Sequence, residues 1–231
     1  MPLDRSLISD LPIFATLDGE ALDDILGRAR TQLFTRSTSV FTQDEAAHSF
    51  FVLLHGRLRV TQVTPEGQQI VMRFVGPGEI FGVAMALRRA TYPATATAVV
   101  DSLALAWPSA AWAPLVAAYP PLAVNALQTM GARLQEAQTR LREISTEEVE
   151  RRIAHAVLRL AAESGRETAD GLLIDFPLSR QDLAEMTGTT LHTVSRIVSA
   201  WEHRGLVEGG RQRIVVRDLR GLKGLVEALP D

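Results

Sequence analysis

His192, Thr193, Ser195, Arg196 and Ser199 lie on or near one face of a segment. Val194, Ile197, Val198 and Trp201 recur at helical spacing on the other. The chemistry open to the polar set is hydrogen bonding to nucleobase edges. An arginine such as Arg196 can donate twice, to O6 and N7 of a guanine. His192 can donate to a guanine N7, and Thr193 and Ser195 suit a base edge, a thymine methyl or a phosphate oxygen. Elsewhere the chain offers no nucleophile–base constellation and no glycine-rich phosphate loop; the Gly-Pro-Gly at 76–78 reads as a turn. An enzyme is therefore not expected.

The elements that must hold this face are legible nearby. Ser179 is a good N-cap with Asp182 three residues on, and Leu183, Ala184 and Met186 follow as the apolar face of a first helix. Gly188 supplies a sharp turn that a Cβ would oppose, and Thr189 and Thr190 offer hydroxyl caps to the second helix. After Gly205, a strand begins at Leu206-Val207, Gly209-Gly210 is expected to turn, and Ile214 to Val216 return. The pattern predicts a helix-turn-helix with a basic wing, built to lay one helix in a DNA groove. Expected contacts are Ser179, Arg180, Thr190, His192, Thr193, Ser195, Arg196 and Ser199, with Arg211 and Arg213 from the wing. Net charge is −3, so the chain as a whole carries no nucleic-acid signature, but Thr187 to Arg217 holds five arginines against two acids.

At 231 residues the chain has room for two cores. It has no cysteine, which excludes disulfides and thiolate-held clusters. No apolar run approaches a membrane span, and the N-terminus shows no signal segment, so a cytoplasmic protein with no membrane partner is expected.

Residues 1–30 read as helical, with Leu17, Leu22, Ile25 and Leu26 on one face. Thr31 to Trp107 shows short apolar alternations broken at Gly56, Glu66-Gly67 and Gly76-Pro77-Gly78, the pattern of a jelly roll. From 109 to 145 the chain reads as helical, and Ala123, Leu127, Met130, Leu134, Ala137, Leu141 and Ile144 follow a 4-3 alternation that fits a parallel coiled-coil seam. Ser145 with Glu148 suggests a capping box and a helix break at 144–147. The fold class expected is α+β: an N-terminal antiparallel β-roll (jelly roll) over 1–118, a long dimerisation helix over 119–145 and a C-terminal winged helix-turn-helix over 146–231.

This order of parts, with GPGEIFG at 76–82, VERRIAHAVLRLA at 149–161 and the segment 178–207, resembles the CRP/FNR superfamily of bacterial transcription regulators. The resemblance implies a homodimer whose roll senses a small-molecule, redox or gas signal, whose paired helix-turn-helix units bind a palindromic promoter site, and which contacts RNA polymerase. It also exposes departures. Cyclic-nucleotide-binding relatives have a glutamate for the ribose hydroxyl and an Arg-Ser pair for the phosphate. Here those positions are Val83 and Pro93-Ala94, so no cyclic-AMP binding is expected, because a buried phosphate without a donor is costly. Arg88 and Arg89 lie nearby, at what reads as a solvent-facing loop tip. Gly82, Val83, Pro93 and Ala94 are the candidate lining of a pocket for an unidentified effector. Similarity of YPATATAVVDSLALAW to the nitric-oxide and denitrification branch leaves haem open as a cofactor, with His48, His55 or a free Pro2 as candidate ligands. Many relatives also carry a glutamate on the recognition helix where this chain has His192. Two other readings compete: a DNA binder independent of any ligand, and a cupin-like metalloenzyme, for which His48 and His55 stand seven apart with no His-x-His pair.

Overall fold

The computed structural model describes residues 4–227. It is a mixed helix and sheet fold with an N-terminal antiparallel roll, a long helix and a C-terminal helix-turn-helix. The chain divides into two compact units, the main division falling between Ala137 and Gln138, inside that long helix, with Gln69–Val71 grouped with the second unit.

In the first unit two short 3-10 turns precede α1 (Gly19–Gly27), whose N-cap Asp18 accepts from the Ala21 amide at 2.9 Å. Eight strands follow: β1 (Arg30–Phe34), β2 (Ser39–Phe41), β3 (Ser49–His55), β4 (Leu58–Val63), β5 (Gln69–Val75), β6 (Ile80–Phe81), β7 (Thr95–Ala98) and β8 (Ser102–Pro108). They form two four-stranded sheets, in the orders β1-β8-β3-β6 and β2-β7-β4-β5. Side chains on a strand alternate between faces, and β3 and β8 use both. Phe51, Leu53, Ala104 and Ala106 join Phe41, Leu58, Phe81, Ala96 and Ala98 in the core of the roll. Phe50, Val52, Leu105 and Trp107 join a second core with Ile13, Phe14, Leu22 and Ile25 from the N-terminal helices, and with Leu115 and Leu122. Trp107 Nε1 donates to the Ile25 carbonyl at 2.8 Å, which satisfies the buried indole and fixes α1 on the sheet.

Helix α2 (Trp112–Ala118) then leads into α3 (Pro120–Thr146), a helix of 27 residues. Its seam stays at solvent in the single chain: Leu127, Leu134 and Leu141 are 72%, 61% and 65% exposed, and Ile144 is exposed too. Asn125, on the opposite side, is buried and donates to the Ile13 and Ala15 carbonyls.

The second unit contains α4 (Val149–Ser164), β9 (Gly165–Thr168), β10 (Gly171–Ile174), α5 (Arg180–Thr187), α6 (Leu191–His203), β11 (Val207–Gly210), β12 (Arg213–Val216) and α7 (Leu219–Glu227). The strands form one antiparallel sheet in the order β11-β12-β10-β9. Helix α4 buries Ile153, Ala154, Val157 and Leu160.

The break between α3 and α4 falls close to the expected place, but the capping box is not formed. Ser145 lies inside α3 and donates to the Leu141 carbonyl at 2.8 Å, Thr146 does the same to Arg142, and the N-cap of α4 is Glu148 without a side-chain cap bond. A serine that back-bonds to the carbonyl four residues earlier no longer competes to end the helix. What joins the two helices is charge. Arg159 Nη1 lies 2.6 Å from Oε1 of the buried Glu143, and His155 lies 3.9 Å from Glu143 and 3.2 Å from Glu147. Glu143→Gln should lower stability by about 2 kcal/mol in urea titration, because the half-buried Arg159 loses its counter-charge. An unchanged midpoint would show that solvent already screens the pair.

Candidate nucleic-acid interface and effector pocket

The helix-turn-helix is held by local bonds that the sequence announces. Ser179 and Asp182 form a complete capping box: the Ser179 hydroxyl accepts from the Asp182 amide at 3.0 Å, and the Asp182 carboxylate accepts from the Ser179 amide at 2.9 Å. Leu183 and Ala184 are buried, while Met186 is only half-buried. Thr187 takes the remaining inward place, its hydroxyl donating to the Leu183 carbonyl at 2.7 Å. Gly188 sits at φ 63°, ψ 44°, the left-handed region in which glycine has no Cβ penalty. Thr190 is the N-cap of α6 and accepts from the Thr193 amide at 3.2 Å. Val194, Val198 and Trp201 are buried and Ile197 half-buried. Trp201 Nε1 donates to Glu150 at 2.7 Å, tying the end of α6 to α4.

On the outer face of α6, His192 and Arg196 are exposed and neither forms an ion pair among the described residues. Thr193, Ser195 and Ser199 are half-buried beside them. The other expected contacts are partly engaged within the chain. The Ser179 hydroxyl also donates to Asp182 at 2.6 Å, and Thr190 shares its hydroxyl with Thr193 at 3.0 Å. Arg180 pairs with Glu202 at 3.2 Å.

The wing differs from expectation in one respect. Gly209 and Gly210 do not form the turn; they lie in β11, paired with Ile214 and Arg213. The turn is Arg211-Gln212, with Gln212 at φ 57°. Gly209 lies close to Glu202 instead: a Cβ there would stand 2.2 Å from its carboxylate, which would have to swing aside. Arg211 is thus at the exposed tip, whereas Arg213 pairs with Glu208 at 2.8 Å. Arg217 binds the same carboxylate, and the two guanidiniums hold Glu208 below the usual carboxylate range.

In the first unit Gly82, Val83, Pro93 and Ala94 all line one cavity of about 470 Å³, within the size range of small-molecule sites. Residues from distant segments complete it: Phe41, Val60, Arg73, Leu87, Arg89, Tyr92 and, from α3, Arg133. Arg88 is exposed at φ 56°, as the loop-tip reading expects, but Arg89 turns back to the cavity. Arg73, Arg133 and Tyr92 carry no local signal that would have marked them; only the closure of the roll and the packing of α3 bring them here. His48 and His55 are exposed and do not line the cavity, so they do not fit a buried haem ligand set. Pro2 lies outside the described residues.

Comparison with known proteins agrees with both units. Residues 151–225 match the Crp-like helix-turn-helix domain, and residues 31–119 match the cyclic nucleotide-binding domain. The chain is 30% identical over 207 residues to the Cyclic AMP receptor protein of Thermus thermophilus, covering 90% of this chain and 93% of that one. The chain belongs to the CRP/FNR family. It is 26% identical to the Transcriptional activator protein FnrA of Stutzerimonas stutzeri, over 93% of this chain and 86% of the relative. Among solved structures it shares its fold with FixK2 from Bradyrhizobium japonicum, with a TM-score of 0.75 at 21% identity, over 87% of this chain and 99% of that one. As a member of the CRP/FNR family, the protein is a DNA-binding transcription regulator. Among the described residues no single helix is long and apolar enough to cross a membrane.

Proposed function

We propose that this CRP/FNR regulator works in the cytoplasm as a homodimer, joined through residues 119–145, on a palindromic promoter site. The observation that carries the reading is the apolar seam of α3, exposed in the single chain, in a protein whose α6 also leaves His192 and Arg196 exposed. A parallel pair of such helices would bury the seam. It would also offer two copies of α6 to half-sites one DNA turn apart, about 34 Å. In this reading residues 1–118 are the sensor and 146–231 the DNA module. A small molecule bound beside Gly82, Val83, Pro93 and Ala94 controls DNA affinity, and RNA polymerase is the further partner at the promoter.

Base recognition falls to His192 and Arg196, with Thr193, Ser195 and Ser199 beside them. Ser179, Arg180, Thr190, Arg211 and Arg213 serve the phosphates. A histidine cannot reproduce the acceptor that a glutamate offers to a cytosine amino group. The half-site should therefore differ from the usual TGA-containing consensus at the pair facing His192 and keep the guanine facing Arg196. Selection of bound sites from random DNA tests both points; recovery of the unmodified consensus would count against the first, and asymmetric single half-sites against the dimer.

Arg211→Ala should weaken binding to all sequences alike and reduce the salt slope by about one. Arg213→Ala should do less, because Arg213 is already paired with Glu208. Titrations at several salt concentrations separate the two.

A further inference from the structure

The cavity of the roll joins an aromatic wall to an excess of positive charge. Phe41 and Tyr92 stack with ring centroids 3.9 Å apart. The Tyr92 hydroxyl is already satisfied, donating to the Ser49 carbonyl at 2.7 Å and accepting from the Ser49 amide at 3.1 Å. Three arginines line the same space: Arg73, Arg89 and Arg133. Glu79 accepts from Arg73 and from the Gly76 amide, and lies 3.6 Å from Arg133. Arg133 also donates to the Ile80 carbonyl and feels Glu136 on its own helix. Arg73 and Arg133 thus share the carboxylates of Glu79 and Glu136, while Arg89 has no ion pair among the described residues and adds a third, unbalanced charge. Burial, with Arg73 alongside, pushes the Arg133 guanidinium down to about 10, against the opposing pull of Glu79 and Glu136.

We propose that this cavity binds a small organic carboxylate with a flat apolar body, the carboxylate among Arg73, Arg89 and Arg133 and the body against Phe41 and Tyr92. The inference rests on the reading of the cavity as the effector site and names the class of ligand for it. A carboxylate supplies the missing negative charge and matches the guanidinium fork. A cyclic nucleotide would meet the same arginines with its phosphate, but it fits less well because Val83, Pro93 and Ala94 offer no side-chain acceptor to its ribose hydroxyl.

Calorimetry on the full chain tests this with 2-naphthoate, its neutral counterpart 2-naphthamide, octanoate, cyclic AMP and inorganic phosphate. Saturable binding of 2-naphthoate is expected, about tenfold or more tighter than 2-naphthamide. Arg89→Gln, a change at an exposed and unpaired side chain, should remove most of that preference while keeping the melting temperature. Equal binding of acid and amide, indifference to Arg89→Gln, tighter binding of cyclic AMP than of 2-naphthoate, or no binding of either carboxylate would each overturn the proposal. Operator affinity measured alongside separates the two levels. Binding of 2-naphthoate without any change in DNA affinity would keep the anion site and overturn its role as the effector site.

Discussion

Leu127→Asp combined with Leu134→Asp should yield a folded monomer that has lost about 10²- to 10⁴-fold in affinity for a two-half-site operator. Both leucines are mostly exposed in the single chain, so charges there leave each core intact. In a paired helix the same charges would be buried without partners, at a cost far above what the seam gains. Once separated, each DNA module binds its half-site alone and loses the effective concentration that linkage provides, which sets the expected factor. Sedimentation velocity reads the association state, and titration of labelled operator reads the affinity. A variant that stays dimeric would place the interface elsewhere; a monomer with undiminished affinity would show that one module suffices.

Arg196→Ala should abolish discrimination at one base pair of each half-site, about 1–3 kcal/mol per half-site, or roughly 5- to 150-fold. The side chain is exposed and outside the packed face of Val194, Val198 and Trp201, so the thermal midpoint should not move. Binding to unrelated DNA should fall much less, since one phosphate-range charge is lost and not the docking surface. A uniform loss over all sequences would assign Arg196 to the backbone and shift base reading to His192 and its neighbours.

The helix-turn-helix was legible in the sequence because its determinants are local. The caps at Ser179 and Thr190, the left-handed Gly188 and the spacing of Val194, Val198 and Trp201 each act within a few residues. Where two local signals competed, reading failed. Gly209-Gly210 has the composition of a turn, yet both glycines lie in β11, Gly209 close to Glu202, and the turn falls to Arg211-Gln212. Ser145 has the composition of a cap, yet its hydroxyl is satisfied inside α3. The cavity was only half legible. Val83 and Pro93-Ala94 could be placed by resemblance, but Arg73, Arg89 and Arg133 come from β5, a loop and α3, and no spacing along the chain foretells their meeting.

Alternation along β3 and β8 bears on how such a protein can change over generations. Phe51, Leu53, Ala104 and Ala106 belong to the core shared with Phe41, Phe81 and Tyr92 of the cavity, whereas Phe50, Val52, Leu105 and Trp107 belong to the core under α1. Neighbouring positions in one strand thus answer to different demands. Odd positions in β3 and even ones in β8 back the Phe41, Phe81 and Tyr92 side chains that line the cavity, so a change of size there reshapes the pocket while their neighbours go on holding the core under α1. A lineage could in this way exchange one chemical signal for another without passing through an unfolded ancestor.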